Sequence, residues 1–294
     1  MAEQKIEFRK NRGFGENLND TFQFIKQNFK PLFKSFFAIC GIFMSTQAIF
    51  NGLYQSSFVG SWTTILQGAT GSKFRISEVF NWQYCLVILF MLLTYIAMQV
   101  TVAAYIKHCI VHDGEQPGIE EVWAIFSKYF FRVLIYNIPV LLMIVAGMFF
   151  CLFPGVYLWV VFVPFTFITV IENTDLGRTY SRCFELVKEN FWLSLGIYVV
   201  SYLIYSISGS IVGMIVSGII GLVAFITTKS FGTTYGIATS VLNIFTFCFY
   251  IIFLLSAAFN YFSLVEMKDG TGIMDRINKI GNKTTDHDNR KELY

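Results

Sequence analysis

The chain has 294 residues, of which 55% are hydrophobic and only 14% charged, with a formal net charge of +3. A soluble domain carries about 25% charged residues, so this composition excludes a water-exposed surface over most of the chain. The apolar residues fall in nearly uncharged runs of roughly 20, the length that crosses a hydrocarbon core about 30 Å thick at about 1.5 Å per residue.

The N-terminal residues 1–12 are polar and carry both signs of charge, and the first apolar run begins only near Pro31. This pattern argues against a cleaved secretory leader. Apolar runs follow at residues 31–54, 84–106, 133–151, 154–171 and 238–265. Lys34 lies near the start of the first, where its stem can snorkel to the headgroups. Phe153-Pro154-Gly155 separates the third run from the fourth and reads as a reversal, making the two a helical hairpin. Residues 55–81, with Trp62, Phe74 and Phe80 among Ser, Thr and Gly, read as a small structured cap or interfacial loop.

Residues 191–228 hold 38 positions without a charge and include Gly196, Gly209, Gly213, Gly218 and Gly221. Two readings stand open: one crossing followed by a re-entrant or surface segment, or two crossings. Lys and Arg in short connections concentrate on the cytoplasmic side. Six crossings leave only Lys73, Arg75 and Lys229 outside, whereas seven would carry Lys268, Arg276, Lys279, Lys283, Arg290 and Lys291 outward with the tail. The sequence therefore predicts an all-α polytopic membrane protein of six transmembrane helices, both termini cytoplasmic.

A repeat supports short amphipathic helices at the interface. Phe22-Gln23-Phe24-Ile25-Lys26-Gln27-Asn28-Phe29, entering the first span, resembles Phe184-Glu185-Leu186-Val187-Lys188-Glu189-Asn190-Phe191, entering the fifth. A looser version, from Glu121 to Phe130, precedes the third span. Apolar residues recur at helical spacing in each, as in Phe22, Ile25 and Phe29, so each can lie in the headgroup boundary. Asn19, Asp20 and Asp175 are candidate helix starts, as is Pro117. The organisation predicted is a membrane domain, residues 1–265, of three units near 13–106, 117–171 and 175–265. A cytoplasmic tail, 266–294, follows, with an amphipathic stretch at Ile273, Met274, Ile277 and Ile280 and disorder after Gly281.

Charged groups inside a bilayer are by default functional clues, and the central parts of the six spans contain none. A proton pump with an acidic relay is thus disfavoured. Polar residues there include Gln47, Asn51, Gln99, Thr101, Asn137, Ser206, Asn243 and Asn260. Interhelical hydrogen bonding is their ordinary use; Gln99 and Asn137 are the candidates for lining a cavity. Gly209, Gly213 and Ser217, spaced by four and flanked by Ser206, Ser210 and Gly221, form a small-residue stripe for close helix packing. The six cysteines share no CxxC spacing and read as small hydrophobes. His108 and His112 lie four apart without a third metal ligand at clear spacing, and no dinucleotide or phosphate-loop motif is present. No catalytic residue, cofactor site or metal site is assigned.

Gly13-Phe14-Gly15-Glu16-Asn17-Leu18-Asn19-Asp20-Thr21-Phe22, followed by Lys26-Gln27-Asn28-Phe29-Lys30-Pro31-Leu32, resembles the start of a multi-span bacterial membrane family. That family is similar to the membrane domain attached to some glycerophosphodiester phosphodiesterases. Phe153-Pro154-Gly155-Val156 and Arg182-Cys183-Phe184-Glu185-Leu186-Val187-Lys188 resemble its later landmarks. The resemblance implies a bacterial inner membrane location; the phosphodiesterase barrel and its carboxylates have no counterpart here. The expected function is a non-enzymatic membrane scaffold or accessory subunit, with a transporter or lipid-handling protein as the alternative. Expected partners are membrane lipids and other membrane proteins, with no nucleic acid.

Overall fold

A computed structural model describes residues 6–66, 82–112, 114–227 and 231–270, with side chains throughout except at 56–66, 220, 221, 223–241 and 243. It is an all-α fold in which six helices are long and apolar enough to cross a membrane. The long helices are α1 (Phe14–Leu66), α2 (Trp82–Val111) and α3 (Ile119–Phe150). The fourth crossing is built from α4 (Leu152–Phe162), a turn at Phe165–Phe167 and a π-helical turn at Ile168–Glu172. A short helix α5 (Leu176–Val187) and a 3-10 turn (Lys188–Asn190) lead into α6 (Phe191–Thr227), and α7 (Phe231–Asp269) closes the chain.

Helix α1 kinks at Asn28, whose φ of −111° and ψ of 15° leave the helical region. The cause is Pro31, which supplies no N–H to the carbonyl of Gln27 and crowds it. That carbonyl instead accepts from Gln116 Nε2 at 3.1 Å. The Asn28 amide bonds back to the Phe24 carbonyl at 3.2 Å, and Tyr105 donates to Asn28 Oδ1 at 3.1 Å. In the second copy of the repeat, the 3-10 turn ends at Asn190, the residue aligned with Asn28. The looser third version has no such break: α3 runs straight from the interfacial stretch into the span.

Several boundaries differ from expectation. Residues 191–227 form one continuous helix, neither two crossings nor a crossing with a re-entrant segment. At about 1.5 Å per residue it is roughly 55 Å long, so it overshoots the bilayer as a helix, and it packs on α7. Asn19 and Asp20 do not start the first helix, which begins at Phe14. Asp175 does occupy the position before α5, yet its side chain makes no capping bond and faces Arg132 at 3.6 Å. Helix α7 continues past residue 265 to Asp269. Residues 67–81 of the outer connection, with Phe74 and Phe80, and the tail from 271 lie outside the described residues, as do the side chains of Trp62, Gly221 and Asn243.

The reversal between α3 and α4 sits at Cys151, in extended conformation, two residues before the expected tripeptide. Pro154 falls in the first turn of α4, where its missing N–H costs nothing. Gly155 serves packing: a Cβ there would meet the Met148 backbone nitrogen at 2.7 Å. The two arms of the hairpin touch backbone to backbone at this point.

The crossings form a ring in which α1 packs on α2 and α7, α2 on α3, α3 on α4, α4 on α6, and α6 on α7. Helix α7 is the most enclosed, with 78% of its apolar window buried, against 11% for α3 and α6. Ser256, Ala257 and Ala258 are fully buried, which lets α1 and α6 approach α7 closely. Exposed apolar side chains such as Ile42, Ile138, Leu142, Phe149, Ile207, Ile211 and Met214 form the lipid-facing surface.

Ion pairs gather at the end carrying the N-terminal segment and the close of α7. The Arg12 side chain is fully buried and pairs with Asp20 at 2.7 Å. It also donates to the Phe8 carbonyl at 2.8 Å and to those of Lys10 and Glu7, and lies 4.9 Å from the Phe259 ring centroid. Lys107 donates to the Val170 carbonyl and the Tyr129 hydroxyl. Arg182 joins Glu172, Glu185 and Asp269, while Tyr261 donates to Glu172 at 2.9 Å. Just inside, Ser256 donates to Asn17, Ser201 donates to Ser256, and Asn260 donates to Ser194 and Tyr198. These bonds tie α1, α6 and α7 together at this end of the bundle.

Candidate functional site

Farther along the same three helices the packing opens into a cleft. Helix α6 places Tyr202, Tyr205, Ser206, Gly209, Ser210, Gly213 and Ser217 at spacings of three and four, so they share one face. That face, with Gln55 of α1 and Leu242 and Thr246 of α7, lines a cleft of about 500 Å³. The opposite face of α6 carries exposed Leu203, Ile207, Ile211 and Ile215. The cleft therefore lies between α1 and α6 over α7, at a height where its neighbours meet lipid.

The small-residue stripe has two uses along its length. At Gly209 an added Cβ would meet Thr246 Cγ2 at 2.7 Å, so α6 and α7 are in close contact there. At Gly213 no described atom lies within 4 Å of that position. Ser217 returns its hydroxyl to the Met214 carbonyl at 3.2 Å. Gly209, Gly213 and Ser217 all line the cleft.

Tyrosines close its inner end. Tyr202 and Tyr205 meet edge to face at 5.6 Å between centroids, Tyr205 meets Tyr250 at 5.3 Å, and Tyr250 meets Tyr95 at 5.1 Å. Beneath them Thr166 donates to Gln99 Oε1 at 2.7 Å, joining the fourth crossing to α2. Gln99 is thus engaged under the tyrosine floor, and Asn137 donates to the Val133 carbonyl of its own helix at 2.8 Å; neither is among the lining residues. On α1, Gln47 and Asn51 precede Gln55 at intervals of four. The buried carbonyl oxygens of both have no partner among the described residues.

Among the described residues the lining carries hydroxyls, one amide, two phenol rings and aliphatic carbon, with no charged side chain. Within transmembrane helices a serine ordinarily bonds back to the preceding turn, as Ser201 does to Ile197 at 2.7 Å. Among the described residues Ser206 and Ser210 have no hydrogen-bond partner. Their hydroxyls stand available in the cleft.

His108 and His112 stack at 4.1 Å, and His108 Nε2 lies 3.3 Å from Glu121. Among the described residues no group of three His, Cys, Asp or Glu is placed to hold a metal ion. The described cysteines pair with no other cysteine, and Cys40 contacts Thr101 at 3.2 Å.

Sequence reasoning did not bring Tyr202, Tyr205, Thr246 and Gln55 to this place. Gln55 continues the spacing of Gln47 and Asn51, a signal present in the sequence; Thr246 carried none. Compared with protein families, with curated proteins and with solved structures, the chain matches none.

Proposed function

We propose that this polytopic membrane protein is a lipid-handling protein that receives part of a membrane lipid in the cleft between α1 and α6. The observation carrying this reading is the cleft itself: polar within, flanked by lipid-facing apolar side chains, and about 500 Å³ in volume. Ligand sites commonly enclose about 300–1,000 Å³. The hydrogen-bonded contact of α1, α6 and α7 supplies the frame, and the uncharged lining among the described residues suits transfer within the bilayer, where an unpaired charge is costly. The Lys and Arg distribution supports a cytoplasmic position for the ion-paired end, and the resemblance noted above supports a bacterial inner membrane. The same resemblance makes relation to that multi-span family part of the proposal.

Extraction into native nanodiscs followed by lipid mass spectrometry tests it. The wild-type chain should retain a lipid above its bulk share, and Ser210→Trp, which fills the cleft, should lose it while still folding. Equal retention by both variants would defeat the reading.

The second reading is an accessory subunit or scaffold. It is favoured by the polar face of α5 and of the 3-10 turn after it, where Arg178, Glu185, Lys188 and Glu189 stand exposed. Purification in mild detergent would support it if one membrane protein co-purified in fixed ratio and was released by charge reversal at Arg178 and Lys188. A chain that recruits nothing counts against it.

A further inference from the structure

Resting on the lipid-handling reading, we infer that the cleft recognises an uncharged sugar, carried as the headgroup of a neutral glycolipid. None of the ten described lining residues carries a charge near neutral pH. A phosphate or a carboxylate seated against them gives up part of its hydration and gains no counter-charge in return, which selects against anionic phospholipids. An ammonium headgroup meets the same obstacle, since the described lining holds no carboxylate.

What the walls do offer fits a polyol. Ser206 and Ser210 present hydroxyls with no partner among the described residues, each able to donate one bond and accept two. Gln55, on the opposite wall, offers two donors and an acceptor in a single amide. A sugar ring carries a hydroxyl, also both donor and acceptor, on nearly every carbon, so it can satisfy groups on both walls at once. Its C–H face can lie against a phenol ring, and Tyr202 is 48% exposed beside the cleft. Gly213 leaves open space within 4 Å of its Cα hydrogen, room that an alanine would reduce. The lipid-facing residues Ile207, Ile211 and Met214 on the same helix provide a surface for acyl chains. Headgroup and chains thus have adjoining, chemically distinct places.

The test uses the full chain in nanodiscs of phosphatidylethanolamine, phosphatidylglycerol and monoglucosyl-diacylglycerol. Native mass spectrometry counts the lipids retained. The wild type should hold the glucosyl lipid at least about fivefold above its bulk share, a preference of about 1 kcal/mol. Ser206→Ala with Ser210→Ala should erase that preference without lowering the melting temperature, and Ser210→Trp should abolish retention. Adding methyl glucoside in the millimolar range separates the sources. Displacement assigns the site to free sugar, and no displacement assigns it to the lipid-borne form; both support sugar recognition. Preferential retention of phosphatidylglycerol or phosphatidylethanolamine, lost in Ser210→Trp, would overturn the sugar inference and leave lipid handling intact. No retained lipid, and no effect of the tryptophan, would overturn both.

Discussion

Replacing Asp20 by Ala probes the ion pair of the fully buried Arg12. The substitution removes the only carboxylate paired with Arg12 among the described ion pairs, at 2.7 Å, while the guanidinium stays fully buried. Removing one partner of a buried pair costs about 3–5 kcal/mol. Asp20 is 18% exposed and Arg12 retains carbonyl acceptors on Phe8 and Lys10, so the low end, about 3 kcal/mol, is expected. At roughly 2–4 °C per kcal/mol for a chain of this class, the melting temperature falls by roughly 6–12 °C. Thermal unfolding in detergent, followed by tryptophan fluorescence, reads this directly. Arg12→Met combined with Asp20→Ala should recover at least half of the loss, because the stranded charge disappears with its partner. A single Asp20→Ala variant melting within about 1 °C of wild type, well below the fall worked out above, would refute the claim that Arg12 depends on Asp20.

Other outcomes follow from the packing. Gly155→Leu places a side chain against the Met148 backbone, which cannot yield as a flexible side chain would; a loss of at least about 2 kcal/mol in the same melt is expected. Ser256→Ala strands Asn17 Oδ1 in the interior, while the Ser201 hydroxyl keeps the Ile197 carbonyl as its acceptor; the change should cost about 1–3 kcal/mol, whereas an unchanged melt would remove the network from the stabilising interactions. Glu16 accepts from the Gly13 N–H and faces Lys10, and both hold its carboxyl below the ordinary carboxylate range. A pKa depressed on folding adds stability above the unfolded value and loses it as pH falls through the folded one. Wild type and Glu16→Gln should accordingly differ at neutral pH and converge in acid, in a titration of melting temperature. Single cysteines introduced at Gly221 and at Lys283 should label from opposite sides of the membrane, the latter from the cytoplasm; a tail labelled from outside would reverse the proposed topology.

The legibility of this fold followed the physics of each element. The number of crossings was readable because an apolar run must satisfy its own backbone bonds in lipid and therefore becomes a helix of predictable length. The repeat predicts interfacial helices that run directly into the first and fifth spans; the break at Asn28 and the 3-10 turn ending at Asn190 emerge only in the structure. Length misled at 191–228: a run too long for one span looked like a span and something more, but α7 lies alongside α6 and supports its extension as helix. The glycines of that run break nothing, because at Gly209 the neighbour Thr246 fills the space where a side chain would stand.

The sequence by itself determined that the chain is helical, membrane-embedded and charged toward one end. Composition, apolar length and periodicity are local quantities, and they suffice for that. Tertiary structure alone decided that Arg12 is buried, that Gln99 answers to Thr166, and that Gln55, Tyr205, Ser210 and Thr246 border one cleft. Those residues come from helices far apart in the chain. No local spacing encodes which faces meet when α1 and α6 pack on opposite sides of α7.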